Sequence, residues 1–482
     1  MNFKMIGRFC AQILGVEAAS MIPAMIIGFC DGDVRAGFAF LIGIAIAGAV
    51  SGVLALLSKG AKNSFFAREG LICVGVGWIL MSLIGCLPFV ISGDIPNYID
   101  ALFEMISGFT TTGASILTDV ESLTRASLYW RSFSHFLGGM GVLVFVLAIA
   151  PAGGSRVGYT MHLLRAESPG PEVGKLVPKM RLNAIILYVI YVALTVADFI
   201  FLVCGGVSVF EAVCIAYGTA GTGGFSVINA GMAGYSHYVQ TVTAVFLLLY
   251  GTNFNIYYLL LIRRFKSVLK DEELHVYIGI VIVSITLIVI NTFHMFSSFA
   301  ETLHHSFFQV ASILTTAGFT TVDFNEVPGL TKTILLLLMV SGACAGSTGG
   351  GIKVARIILL IKNAGRSLRN MMHPQRVETV RLSGRSVDEK VISATNAYLA
   401  LYILLFIISF IIISFDGNTI ETNFSAVLAC MNNIGPGFGR SFANMAFFGP
   451  VSKIVLSVGM LAGRLELYPI LVLFIPATWK HQ

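Results

Sequence analysis

Charge is what this sequence has least of. Only 12% of its 482 residues are Asp, Glu, Lys or Arg, about half the share of a soluble domain. A water-soluble fold is excluded on that ground. The eight cysteines (Cys10, Cys30, Cys73, Cys86, Cys204, Cys214, Cys344 and Cys430) form no CxxC pair and no metal-ligand spacing. They read as buried free thiols acting as small apolar residues. HExxH, GxSxG and paired intramembrane aspartates are also missing, so no motif supports a membrane-embedded enzyme. The net charge of +6 does not argue for nucleic acid, because the basic residues fall in alternate connecting segments. No nucleic-acid partner is expected.

What the chain has instead is apolar length. Hydrophobic residues fill 56% of the positions, in runs that recur along the chain and suffice to cross about 30 Å of hydrocarbon. Lys4 and Arg8 precede the first run as in a signal peptide. No small-residue cleavage site with a soluble domain behind it follows, so the run reads as a retained span.

Two spans are expected near 9–30 and 36–57, joined by Asp31-Gly32-Asp33. After them one composite unit occurs four times: a long apolar span, a short stretch ending in Thr and Gly, and a second long span. The first spans lie near 71–93, 183–205, 274–296 and 394–415, the second near 128–152, 237–262, 331–362 and 451–476. The expected fold class is therefore an all-α polytopic membrane protein with ten transmembrane helices and four re-entrant loops. Its divisions are 1–58 (two N-terminal helices), 59–165, 166–270, 271–390 and 391–482. One set of connections carries Lys59, Lys62 and Arg68; Arg156, Arg165, Lys175, Lys179 and Arg181; Arg263, Arg264, Lys266 and Lys270; and a run from Lys362 through Arg376 to Lys390. By the positive-inside rule that side, with both termini, is cytoplasmic, and the short stretches face outward. The Lys362–Lys390 segment could dock a cytosolic protein or face anionic lipid.

The four short stretches are Leu102–Gly113, Phe210–Gly221, Phe307–Gly318 and Phe424–Gly435. Each is about two turns of apolar or small residues followed by small polar residues and glycine, a repeat weak in identity but clear in pattern. Non-helical backbone at membrane depth survives only when buried in protein or lining water. Four returns around one axis would aim rings of carbonyl oxygens inward to replace a cation's hydration shell. The C-terminal ends of the short helices would add partial negative charge there. In the second stretch the register is open. Equal spacing from Phe210 favours Gly221; the Gly-Phe-Ser ending, matched by Gly318-Phe319-Thr320, favours Gly224.

The second span of the third unit contains Ser341 to Lys353, with glycine at 342, 346, 349, 350 and 351. At about 1 kcal/mol per glycine relative to alanine, a regular helix is not expected there. Close helix packing competes with a mobile intramembrane loop able to obstruct a pore, and the loop is the favoured reading. A phosphate-cradling loop is disfavoured because Lys353 does not directly follow a glycine. Arg464 lies in the last span, either as an electrostatic barrier in the path or as a tie between helices. Asp198 reads as a helix-packing hydrogen bond before a coupling-ion ligand, and His304-His305 as part of a solvated outer loop.

Taken in order, Thr110–Ser115, Thr315–Thr321, Cys344–Lys353, Asn433–Gly437 and Gly463-Arg464-Leu465 closely resemble the Trk/Ktr/HKT superfamily, over essentially the whole chain. The two extra N-terminal spans resemble the Trk type. The resemblance implies a pseudo-fourfold, potassium-channel-like pore and potassium uptake at the bacterial inner membrane. Potassium is then the transported ion, bound at a filter of Thr111, Thr112, Gly113, Thr219, Ala220, Gly221, Thr222, Gly223, Gly224, Thr316, Ala317, Gly318, Asn433, Ile434 and Gly435. Gating falls to Gly346, Gly349, Gly350, Gly351, Lys353 and Arg464. Glycine rather than serine at position 113 favours potassium over sodium. A homodimer, a cytosolic nucleotide-binding regulatory subunit of the Trk type and surrounding lipid are the implied partners, with no organic cofactor. The alternative is a symporter coupling potassium to sodium or protons, for which intramembrane carboxylates are few.

Overall fold

The computed structural model describes residues 2–60, 67–139, 141, 180–323, 325–375 and 378–479. Lys62, Arg156, Arg165, Lys175, Lys179, Arg376 and most of 140–152 lie outside the described residues.

Apolar length becomes helix wherever it is uninterrupted. Phe3–Cys30, Val34–Leu57, Arg68–Ser92, Ala184–Cys204, Glu272–Thr292 and Glu389–Asp416 are long and apolar enough to cross a membrane. These are the two N-terminal spans and the first span of each unit. Breaks within them are mild and come at proline: Phe3–Ser20 passes into Ile22–Cys30, and Ala67–Gly85 into Leu87–Ser92, each with Pro in the first turn of the new segment.

The second spans differ from expectation. Among the described residues their helices are Arg125–Gly139, beyond which most residues lie outside the description, and His237–Tyr250, Gly329–Ser341 and Pro450–Arg464. The last three reach only about 20–23 Å, short of the hydrocarbon thickness. In the second unit the chain resumes as Phe254–Leu261 after an 87° bend. In the third it makes a loop and resumes as Val354–Met372. In the fourth it turns at Glu466 and Leu467, both with positive φ, before the single turn Tyr468–Leu471. Only the break at 342–353 was legible in the glycine pattern. At the second unit's break the neighbouring chain takes over a backbone bond: Phe254 N–H donates to the Gly346 carbonyl at 3.1 Å.

Between the two helices of each unit lies a short helix buried toward its C-terminal end: Tyr98–Phe109, Val209–Gly221, Phe299–Leu314 and Ile420–Met431. The sequence starts all four in one way. Asn97, Ser208, Ser298 and Thr419 cap the first free N–H groups, and Asp100, Glu211, Glu301 and Glu421 occupy the first turn. Acid sits at the positive end of each macrodipole. Ser208-x-x-Glu211 and Ser298-x-x-Glu301 have the capping-box spacing.

A small antiparallel hairpin, Arg381–Leu382 with Arg385–Ser386, precedes the last long helix. It is joined to the start of Glu272–Thr292 by Glu272 N–H to Ser383 Oγ and Ser383 N–H to Glu272 Oε2, both at 3.1 Å.

Candidate functional site

All four short helices end in the same turn. Thr111, Thr222, Thr316 and Asn433 have φ of 54°, 53°, 63° and 56°. The residue after each donates its N–H back to a carbonyl five residues earlier: Thr112 to Ser107, Gly223 to Gly218, Ala317 to Ser312 and Ile434 to Ala429, at 2.8–2.9 Å. Then comes a glycine with positive φ: Gly113, Gly224, Gly318 and Gly435. The backbone therefore equates Gly224 with the other three; Gly221, with Thr219 and Ala220, belongs to the last turn of its helix. A β-branched residue in the left-handed region is a strained placement, of order 1–3 kcal/mol. Three threonines held there in one motif are a functional signature.

The turns meet in a closed ring. A Cβ added to Gly113 would strike the Gly223 carbonyl, one on Gly224 the Ala317 carbonyl, and one on Gly318 the Ile434 carbonyl. One on Gly435 would lie 2.7 Å from the Thr112 carbonyl. Each unit leans on the next, and the fourth returns to the first. Only glycine permits both the φ value and this approach. The seam is reinforced by Asn433 Nδ2 to Thr112 Oγ1 at 2.9 Å and by the Lys453–Asp100 ion pair at 2.6 Å.

Beyond the glycines lies a cavity of about 140 Å³ lined by all four of them and by Ser115, Ser226, Phe319, Thr320 and Pro436. Its wall is held by groups that sequence reasoning passed over. Glu104 and Arg131 pair at 2.7 Å, both buried. Glu104 accepts from Ser115 Oγ and Ile116 N–H, each at 2.9 Å. Arg131 donates to the Ser226 carbonyl at 3.2 Å and stacks over Phe225 at 4.0 Å. His135 bridges the first two turns, with Nδ1 2.7 Å from the Gly108 carbonyl and Nε2 accepting from Phe225 N–H at 3.3 Å. That pattern fixes a neutral imidazole with its proton on Nδ1. A charge inside the expected 128–152 span was the one available sign of Arg131.

The other side of the ring is filled by the loop 342–353. Gly350 N–H donates to Thr316 Oγ1 at 2.6 Å, and Gly350 packs against the Asn432 carbonyl. Gly349 lies beside the Thr315 carbonyl. Thr348 N–H reaches the Tyr250 carbonyl at 3.3 Å and Cys344 N–H the Gly251 carbonyl at 3.0 Å. Lys353, buried with φ 79°, turns its Nζ to the Gly349 carbonyl. Gly346 and Gly351 take positive φ within the same loop. Arg464 donates to the carbonyls of Thr348 and Gly139, each at 2.6 Å, and of Gly138. It thereby joins the loop to the first unit's second helix. Loop and arginine together touch elements of all four units.

One expectation is corrected here. His304 and His305 lie on the short helix Phe299–Leu314, not in a loop. They contact Gln240 Oε1 at 2.7 Å and Thr321 Oγ1 at 3.0 Å, because the helix extends a little over two turns further toward its N-terminus than its Phe307 lead-in suggests. Asp198 is fully buried. Among the described residues neither of its oxygens completes a close hydrogen bond, while the Thr219 side chain, on the short helix packed against it, acts on the carboxyl.

Long apolar helices around a ring of converging turns define a polytopic membrane protein organised about a central axis. A family model described as "TrkH: Cation transport protein" matches residues 36–481. The chain is 38% identical to the Trk system potassium uptake protein TrkH of Salmonella typhimurium, covering 100% of both. It is 31% identical to the Trk system potassium uptake protein TrkG of Escherichia coli, with 99% of each covered. The crystal structure of the potassium transporter TrkH from Vibrio parahaemolyticus matches with a TM-score of 0.88 at 30% identity over 100% of both chains. The chain belongs to the TrkH family of cation transport proteins. Its relatives are named for transport, not catalysis.

Proposed function

We propose that this protein takes up potassium across the bacterial inner membrane through a gated, channel-like pore along the axis of the ring. The observation that carries the reading is the closed succession of four glycine turns, each seated on a carbonyl of the next. In this reading the backbone from Thr111 to Gly113, Thr222 to Gly224, Thr316 to Gly318 and Asn433 to Gly435 supplies the selectivity filter. Its carbonyl oxygens replace the waters of a bare cation. Four helix C-termini converge on the same axis with their partial negative charge. No fixed anion stands in the ring, which suits an ion that must leave as readily as it enters.

The loop with Gly346, Gly349, Gly350, Gly351 and Lys353 is the gate, and Arg464 both holds it and places a positive charge on the inner path. An inside-negative potential contributes about 2.3 kcal/mol per charge per 100 mV, so an open pore concentrates potassium without covalent chemistry. Both termini face the cytoplasm, and the four units divide at 59–165, 166–270, 271–390 and 391–482 after the two N-terminal helices. The pore acts as a homodimer under a cytosolic nucleotide-binding regulatory subunit.

Restoration of growth on low potassium in a cell lacking its own uptake systems tests the reading, with Gly113→Ser as the contrasting variant. Growth restored equally by both, with unchanged discrimination against sodium, would overturn the filter assignment. The buried Asp198, with no ion partner among the described residues, favours a second reading, a symporter in which that carboxyl group takes the coupling ion. Single-channel recording separates the two: unitary currents above carrier turnover exclude the symporter.

A further inference from the structure

The loop that fills the inner side of the ring is held by one carboxylate that does not belong to it. Glu273 stands in the first turn of Glu272–Thr292 and is buried. Its Oε1 accepts the Ala345 N–H at 2.6 Å and the Ala355 N–H at 3.1 Å. Ala345 lies just before the glycine-rich stretch and Ala355 just after it, so a single oxygen brackets the segment that reaches the ring. The reason is visible at the start of Val354–Met372. Its N-cap residue, Lys353, has φ 79° and offers no side-chain cap. A helix that begins without a cap leaves N–H donors unpaired at the positive end of its dipole. Glu273 supplies the missing acceptor from another helix, one oxygen taking both N–H groups.

The residue before it faces the other way. Glu272 exchanges hydrogen bonds with Ser383 in the hairpin 381–386 and pairs with Lys362. Successive residues of one helical turn therefore grip two different objects, the hairpin and the loop.

We propose that Glu272 and Glu273 form a relay in which Glu273 is the positioning residue that keeps the loop against the ring, and Glu272 couples that grip to the hairpin. Displacing the hairpin tilts this turn and withdraws the acceptor from Ala345 and Ala355. The loop then loses this tether and keeps its bonds to the ring, to Tyr250 and Gly251, and to Arg464. The consequence for flux rests on the loop being the gate; the tether itself does not.

Cys344, fully buried and next to Ala345, reports the state of the loop. In the full-length protein in membranes, the rate of N-ethylmaleimide modification at Cys344, read by peptide mass spectrometry, should rise roughly tenfold in Glu273→Ala, as loss of two buried hydrogen bonds implies. Glu273→Gln keeps the shape and one neutral acceptor, and should give about a threefold rise. It serves alone if Glu273→Ala does not fold. Glu272→Ala, at a partly exposed site, should also raise Cys344 modification, by about twofold, through the hairpin. Unchanged modification in both Glu273 variants overturns the tether. Unchanged modification in Glu272→Ala overturns the relay. Potassium flux is measured on the same membranes. Modification that rises while flux does not leaves the relay standing and removes the gate reading instead.

Discussion

The two sides of the ring are built on opposite principles. Toward the cavity, four units contribute one turn each, with the same φ pattern, the same backward hydrogen bond and the same glycine. Toward the other side, the third unit alone contributes a loop, and the fourth alone an arginine that reaches it. Repetition sets four like backbone turns around one axis, which is what the proposed filter demands. Singularity gives one element whose contacts, with Arg464, fall on all four units. In the proposed reading, selecting and gating thus make different demands on symmetry, met by repeating the turn and varying the third and fourth units.

The sharpest way to break the comparison is at the ring. Gly318→Ala puts a methyl into the Ile434 carbonyl at a position whose φ is 76°, so potassium uptake should fall by more than about 100-fold. A complementation assay with quantified surface expression checks it. Deleting Gly346–Gly351 acts on the singular side and should raise flux by about tenfold, measured as rubidium influx. Unchanged influx would count against a gating loop. Arg464→Ala removes three carbonyl contacts and one charge, and conductance should rise by about threefold. A lower folding yield at constant conductance would instead mark Arg464 as a tie between helices. The smallest effect belongs to the seam. Asn433→Ala deletes the bonds to Thr112 and to the Met460 carbonyl, and the potassium-to-sodium uptake ratio should drop by about twofold to fivefold.

Much of this was legible in the residues. Long apolar runs gave the six long helices among the described residues. The starts of the buried helices were not read from their cap residues, and aligning on the apolar lead-in left Ser298–Ser306 outside the third helix. Glycine density marked the loop. The register of the second turn was not legible from spacing, because distance from an apolar lead-in is not what the turns share. They share a left-handed residue followed by a backward N–H bond, and on that measure the partner of Leu102 is Val213, three residues past Phe210. The shortened second helices were hidden for a different reason. Hydropathy reports solvent preference, not continuity, and the stretch 237–261 is apolar overall although it bends by 87° at Gly251-Thr252-Asn253. Glu104, Arg131 and His135 escaped because each looks like an isolated polar residue until the fold brings them to the same two turns.

The contact between Asn433 and Thr112 joins residues 321 positions apart. Chains are made from the N-terminus and fold unit by unit, so three quarters of the ring stand ready while its last quarter is still unsynthesised. During that interval the Thr112 carbonyl edge has no neighbour. Completion of translation, not insertion of any one helix, is therefore the event that closes the ring.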